Sequence, residues 1–153
     1  MKTRPYPRWI SWTFVLSMAA LGFTGVLQMP LAKRYALTEV PGMAWTGDFF
    51  LVHRLHYVFG AVLLFVAAVA AVNWWLDWRK RLALTRLGLV RAAMVAGLLA
   101  SGGLRVYRNL PGVTLPPEAI LLIEWTHLIL AMAVGAAALV ALIRGVSAYA
   151  RWK

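Results

Sequence analysis

The chain has 153 residues, 62% of them hydrophobic, a formal net charge of +11 and no cysteine; its mean hydropathy is +0.72. That is too apolar for an ordinary soluble domain, in which about half of the residues are apolar. The missing cysteines exclude disulfides, cysteine-held iron–sulfur clusters and covalently attached c-type haem.

In chain order, four stretches are long enough to cross a bilayer, which takes roughly 20 apolar residues apiece. The first, about Trp9–Met29, follows the breakers Pro5 and Pro7, carries Trp9 and Trp12 as interfacial anchors and stops near Pro30. It ends in VLQMP without a small-x-small cleavage site, so it reads as a retained span rather than a signal peptide. A loop containing Pro41 and Gly42 leads to the second span, about Phe49–Trp75, which carries His53 and His56 in its first turns. The short basic loop WRKRLALTR precedes the third, about Leu87–Leu104, which closes on Ser101-Gly102-Gly103. Pro116-Pro117 is a helix-start signal, and the fourth span runs over about Pro117–Ile143. In the tail GVSAYARWK, Tyr149 and Trp152 suit an interfacial segment. The expected fold is all-α: one integral membrane domain over residues 1–153, built as a four-helix bundle.

The basic residues are unevenly placed. Lys2, Arg4, Arg8, Arg79, Lys80, Arg81, Arg86, Arg144, Arg151 and Lys153 fall on one side of the spans, against Lys33, Arg34, Arg105 and Arg108 on the other. Arg54 and Arg91 lie within spans. Ten against four is a positive-inside bias, which predicts that both termini are cytoplasmic. The charge then serves topology and anionic lipid headgroups, and nucleic acid is not an expected partner.

The two halves resemble one another faintly. Helix one ends LGFTGVLQMP and helix three ends LLASGGLRVY; helix two begins HRLHYVFGAVLLF and helix four continues EWTHLILAMAVGA. Aligning the halves, with Gly25 against Gly103 and the difference in length left to the outer loops, sets Glu124 opposite His53 and His127 opposite His56. Two hairpins repeated in parallel would bring His56 and His127 to one depth.

A metal-ligating side chain within hydrocarbon is costly and marks function by default. Two imidazoles at matched depth on different helices are what a haem iron needs, so His56 and His127 are candidate axial ligands. Gly60 and Ala131, each four residues later on the same helix face, would admit a flat ring. His53 is a candidate ligand in place of His56, a haem propionate contact or part of a quinone site. Arg54, Arg105 and Arg108 are candidates for pairing with propionates, for which guanidinium is suited. Glu124, one turn before His127, is a candidate proton donor or acceptor at a quinone site. The competing reading of these histidines is structural, as residues that line the bundle and hydrogen-bond between helices.

RWISWTFVLSMAALGFTGVLQ resembles the first helix of the cytochrome b subunits of membrane-bound formate dehydrogenases and nickel-iron hydrogenases, through Arg8 and Thr24-Gly25. HRLHYVFG is similar to that family's second-helix ligand motif, a His followed four residues on by Gly, and IEWTHLILA to the ligand motif of its last helix. The resemblance implies a multi-pass protein of a bacterial-type inner membrane that binds haem b. It also implies electron exchange between a quinone (or menaquinone) pool and an extracytoplasmic iron–sulfur or multihaem cytochrome subunit. Such a chain is an electron-transfer subunit of a larger oxidoreductase, with no catalytic constellation of its own. The family usually holds two haems. Here Ser11 stands where it has an inner-haem histidine and Ala141 where it has another, so one haem b, near the outer face, is expected. The alternative from a different class is a haem-free anchor or assembly subunit of an extracytoplasmic oxidoreductase complex.

Overall fold

A computed structural model describes residues 6–29, 35–146 and 148–153. The chain is mostly helical. Its four long helices are α1 (Arg8–Gln28), α2 (Phe49–Asn73), α3 (Arg86–Tyr107) and α4 (Pro117–Ile143). Each is long and apolar enough to cross a membrane. Only 11–22% of each helix's most apolar window is buried. Large apolar side chains such as Leu16, Phe65, Leu122 and Met132 point outward, a surface that water would not tolerate and acyl chains would.

Local signals set the helix ends. Asp48 caps α2, its carboxylate accepting from the Leu51 amide at 3.0 Å, and Thr85 caps α3, its hydroxyl accepting from the Gly88 amide at 2.8 Å. Pro117 occupies the first turn of α4, where no amide proton is needed. That helix stops at Gly145, whose φ of +63° is left-handed, with the Val146 amide closing back on the Ala141 carbonyl at 2.9 Å.

The chain divides into two compact units, Met1–Leu76 and Asp77–Lys153. The first is the α1/α2 hairpin, in which Leu27 and Val52 are buried beneath Leu37 and Trp45 of the connecting segment. The second is the α3/α4 hairpin together with a small antiparallel ribbon, β1 (Leu82–Leu84) and β2 (Ala150–Trp152), in the register Leu82 to Trp152 and Leu84 to Ala150.

That ribbon departs from the sequence reading at two places. The second span runs past its expected end at Trp75 as a π-helical turn, Trp74–Trp78, and the segment expected to be a basic loop opens with a further helical turn, Arg79–Arg81, before entering β1. The tail, where an interfacial segment is expected, forms strand β2. Thr85 holds it, its amide donating to the Tyr149 carbonyl at 3.0 Å and its hydroxyl to the Ala148 carbonyl at 3.2 Å. Tyr149 then covers the intraspan Arg91, buried at 7% exposure, whose guanidinium carbon lies 4.2 Å from the tyrosine ring centre. Trp78 is buried too, while Trp75 is exposed as an anchor should be. Helix three also outruns its expected end, so Arg105 sits in its last turn rather than in a loop.

Candidate functional site: a repeated imidazole clamp

In the first unit, Thr24 lies one turn from the end of α1 and His56 two turns into α2. Thr24 is buried at 2% exposure, so its hydroxyl lies in the helix seam rather than on the lipid face. The hydroxyl donates to the Ala20 carbonyl of its own helix at 2.7 Å, and its oxygen lies 2.9 Å from His56 Nδ1. Gly25 sits beside it. A methyl group there would stand 3.6 Å from His56 Cε1, so the ring lies close against bare backbone.

The second unit repeats this arrangement. Ser101, 4% exposed, donates to the Leu98 carbonyl at 3.1 Å, and its oxygen lies 2.9 Å from His127 Nδ1. A methyl group on Gly102 would stand 3.5 Å from His127 Cε1. In both hairpins a hydroxyl residue followed by glycine faces a histidine on the returning helix.

A second rung follows one turn nearer the connecting loop. In the first unit the Gln28 amide oxygen accepts from the His53 ring, with Oε1 and Nδ1 3.1 Å apart. That ring stacks on Phe49 at 5.5 Å and packs against Tyr57 at 4.4 Å between centres. In the second unit Arg105 and Glu124 hold the matching positions. Arg105 Nε donates to Glu124 Oε1 and its Nη2 faces Oε2, both at 3.2 Å, while Arg108 Nη2 reaches Oε1 at 2.7 Å. Gln28 and Arg105 each follow the clamp hydroxyl by four residues; His53 and Glu124 each precede the clamp histidine by three. One rung is neutral and the other is a carboxylate between two guanidiniums.

The contacts therefore pair His56 with His127 and His53 with Glu124, as the alignment of the halves has it, but shift the glycine match by one. Gly102, not Gly103, corresponds to Gly25, and a methyl group on Gly103 would meet nothing within 4 Å. Gly60 likewise opens onto space; the glycines that approach the imidazoles are on the preceding helices. Arg105 and Arg108 are engaged with Glu124, and Arg54 is exposed on α2. Thr24, Ser101, Gly25, Gly102 and Gln28 were not among the sequence candidates. The signal that could have found them is the hydroxyl–glycine pair near the end of the first helix of each hairpin.

Among the described residues, no three His, Asp or Glu side chains come together as a metal-binding group. One imidazole of each hairpin, His56 and His127, is held by the same contacts, a donor set that would fit an ion whose other ligands a macrocycle supplies. Compared with protein-family models, curated proteins and solved structures, the chain matches none.

Proposed function

We propose that the chain is a membrane cytochrome b subunit in which His56 and His127, one from each hairpin, are the axial ligands of a single haem b. The observation that carries this is the clamp built twice. A histidine that serves only as interhelical glue has no reason to be paired, in both halves, with a hydroxyl braced on its own helix and a glycine under its ring. Metal-ligating histidines characteristically give their second nitrogen to such an outer partner. With Nδ1 taken by Thr24 or Ser101, coordination falls to Nε2. The resemblance of the HRLHYVFG and IEWTHLILA segments to haem-ligating helices supports the same pair.

When bound, the haem supplies one-electron chemistry; the chain's own residues orient the ligands and exclude water. In this reading the four spans form one bundle in a bacterial-type inner membrane, with both termini cytoplasmic. The protein completes a larger oxidoreductase, passing electrons between a quinone pool and an extracytoplasmic iron–sulfur or multihaem cytochrome subunit. His53, on the neutral rung, is the residue for proton exchange with a quinone. Glu124 is held as counter-ion to Arg105 and Arg108.

The test is the absorption spectrum and pyridine haemochrome content of the purified chain. The expected result is a reduced b-type α band at one haem per chain, lost in His56→Ala and in His127→Ala and kept in His53→Ala. A colourless protein, or full pigment in either ligand variant, rejects the reading; a colourless but intact protein supports the haem-free anchor instead.

A further inference from the structure

We infer that Thr24 and Ser101 are positioning residues that hold His56 and His127 in one and the same neutral tautomer, protonated on Nδ1 and bare on Nε2, before any cofactor arrives. A hydroxyl has a single proton. Thr24 gives its proton to the Ala20 carbonyl at 2.7 Å, and Ser101 gives its own to the Leu98 carbonyl at 3.1 Å. Each oxygen nevertheless lies 2.9 Å from an imidazole Nδ1. With its proton committed elsewhere, the oxygen can only accept, so Nδ1 must be the donor. A neutral imidazole carries one ring proton, which leaves Nε2 as a lone pair.

The brace matters as much as the contact. A free hydroxyl could rotate and present its proton to Nδ1, which would move the ring proton to Nε2 and block coordination. Tying it to the carbonyl one turn back removes that choice. The acceptor is also neutral. A carboxylate in the same place would draw on the Nδ1 proton and make the ligand more basic; a hydroxyl that is already a donor leaves the ring an ordinary imidazole. The inference rests on the haem reading for its purpose, while the tautomer itself is a property of the chain without haem.

It is tested by nitrogen NMR of the haem-free chain, labelled with ¹⁵N-histidine and reconstituted in lipid. The expected wild-type spectrum has protonated Nδ1 and unprotonated Nε2 at both His56 and His127. Thr24→Val should scramble the tautomers at His56 alone, Ser101→Ala those at His127 alone, and Thr24→Ser and Ser101→Thr should restore them. On addition of haem, Thr24→Val should load more slowly than the wild type, because part of its His56 population carries the ring proton on Nε2, and Thr24→Ser should restore the rate. A merely structural contact would instead lower the unfolding midpoint of the haem-free chain and leave the tautomers unchanged. A protonated Nε2 at either histidine in the wild type overturns the inference whatever the variants do, as do unchanged tautomers in Thr24→Val. Absence of haem from the wild type rejects the proposed function and leaves the NMR result standing.

Discussion

Beneath both imidazoles the backbone is bare, and the distances set what can replace it. A methyl group at Gly25 or Gly102 would sit 3.6 or 3.5 Å from Cε1, an ordinary contact. Gly25→Ala should therefore fold and, on the proposed reading, bind haem; Gly25→Leu, whose branch must enter the ring's space, should displace His56 and lose the pigment. Haemochrome quantitation beside a thermal melt separates the two outcomes. On the second rung, Glu124→Gln removes the carboxylate that faces both Arg105 and Arg108. The three side chains are a quarter to a third exposed, so solvent screening reduces the penalty from that of a fully buried pair to about 1–2 kcal/mol. The expected outcome is a lower unfolding midpoint, recovered in part by a further Arg105→Gln change; an unchanged midpoint would show the cluster to be energetically idle. At this scale the sequence exposed the polar residues that hydrocarbon penalises, His56, His127 and Glu124. It hid their partners, because threonine, serine and glycine are ordinary in apolar helices and gain meaning only from the facing chain.

A helix that begins on a strong local signal was readable: Pro116-Pro117 places the start of α4 where it is observed. Elements made by contact between distant segments were not. The π-helical turn at Trp74–Trp78 leaves no mark in hydropathy, and β2 exists because the chain's end meets Thr85 and Gly88, more than sixty residues earlier. Gly88 is the point of closest approach. A methyl group there would overlap the Tyr149 carbonyl and stand 2.7 Å from Thr85 Oγ1. Alanine gains up to about 1 kcal/mol in helix propensity, but overpacking typically costs about 1–3 kcal/mol, and here the obstacle is backbone that cannot turn aside. Gly88→Ala should therefore release β2 rather than stabilise α3. Faster amide exchange and protease cutting at residues 145–153, with α3 and α4 still helical by circular dichroism, are the expected signs; full protection of the tail would contradict them.

For the chain as a whole, the strongest constraint is the asymmetry of its charge against four uninterrupted apolar helices. On the proposed reading four spans return the chain to the side on which it began, and the ten cationic residues beside the termini and the α2–α3 connection predict that this side is the cytoplasm. The absence of native cysteine makes this directly measurable, because every introduced thiol is the sole one. Single cysteines at Lys2, Lys80 and Lys153 should resist a membrane-impermeant maleimide in intact cells and react after permeabilisation. Cysteines at Gly42 and Gly112, in the two opposite loops, should react in both conditions. Labelling of the Gly112 site only after permeabilisation would place the third and fourth spans the other way up. The clamp of the second hairpin would then lie at the opposite depth from that of the first, and two imidazoles so separated could not share one iron. The proposed topology and the proposed ligation thus stand or fall together, because a single haem between His56 and His127 would need both hairpins to point the same way.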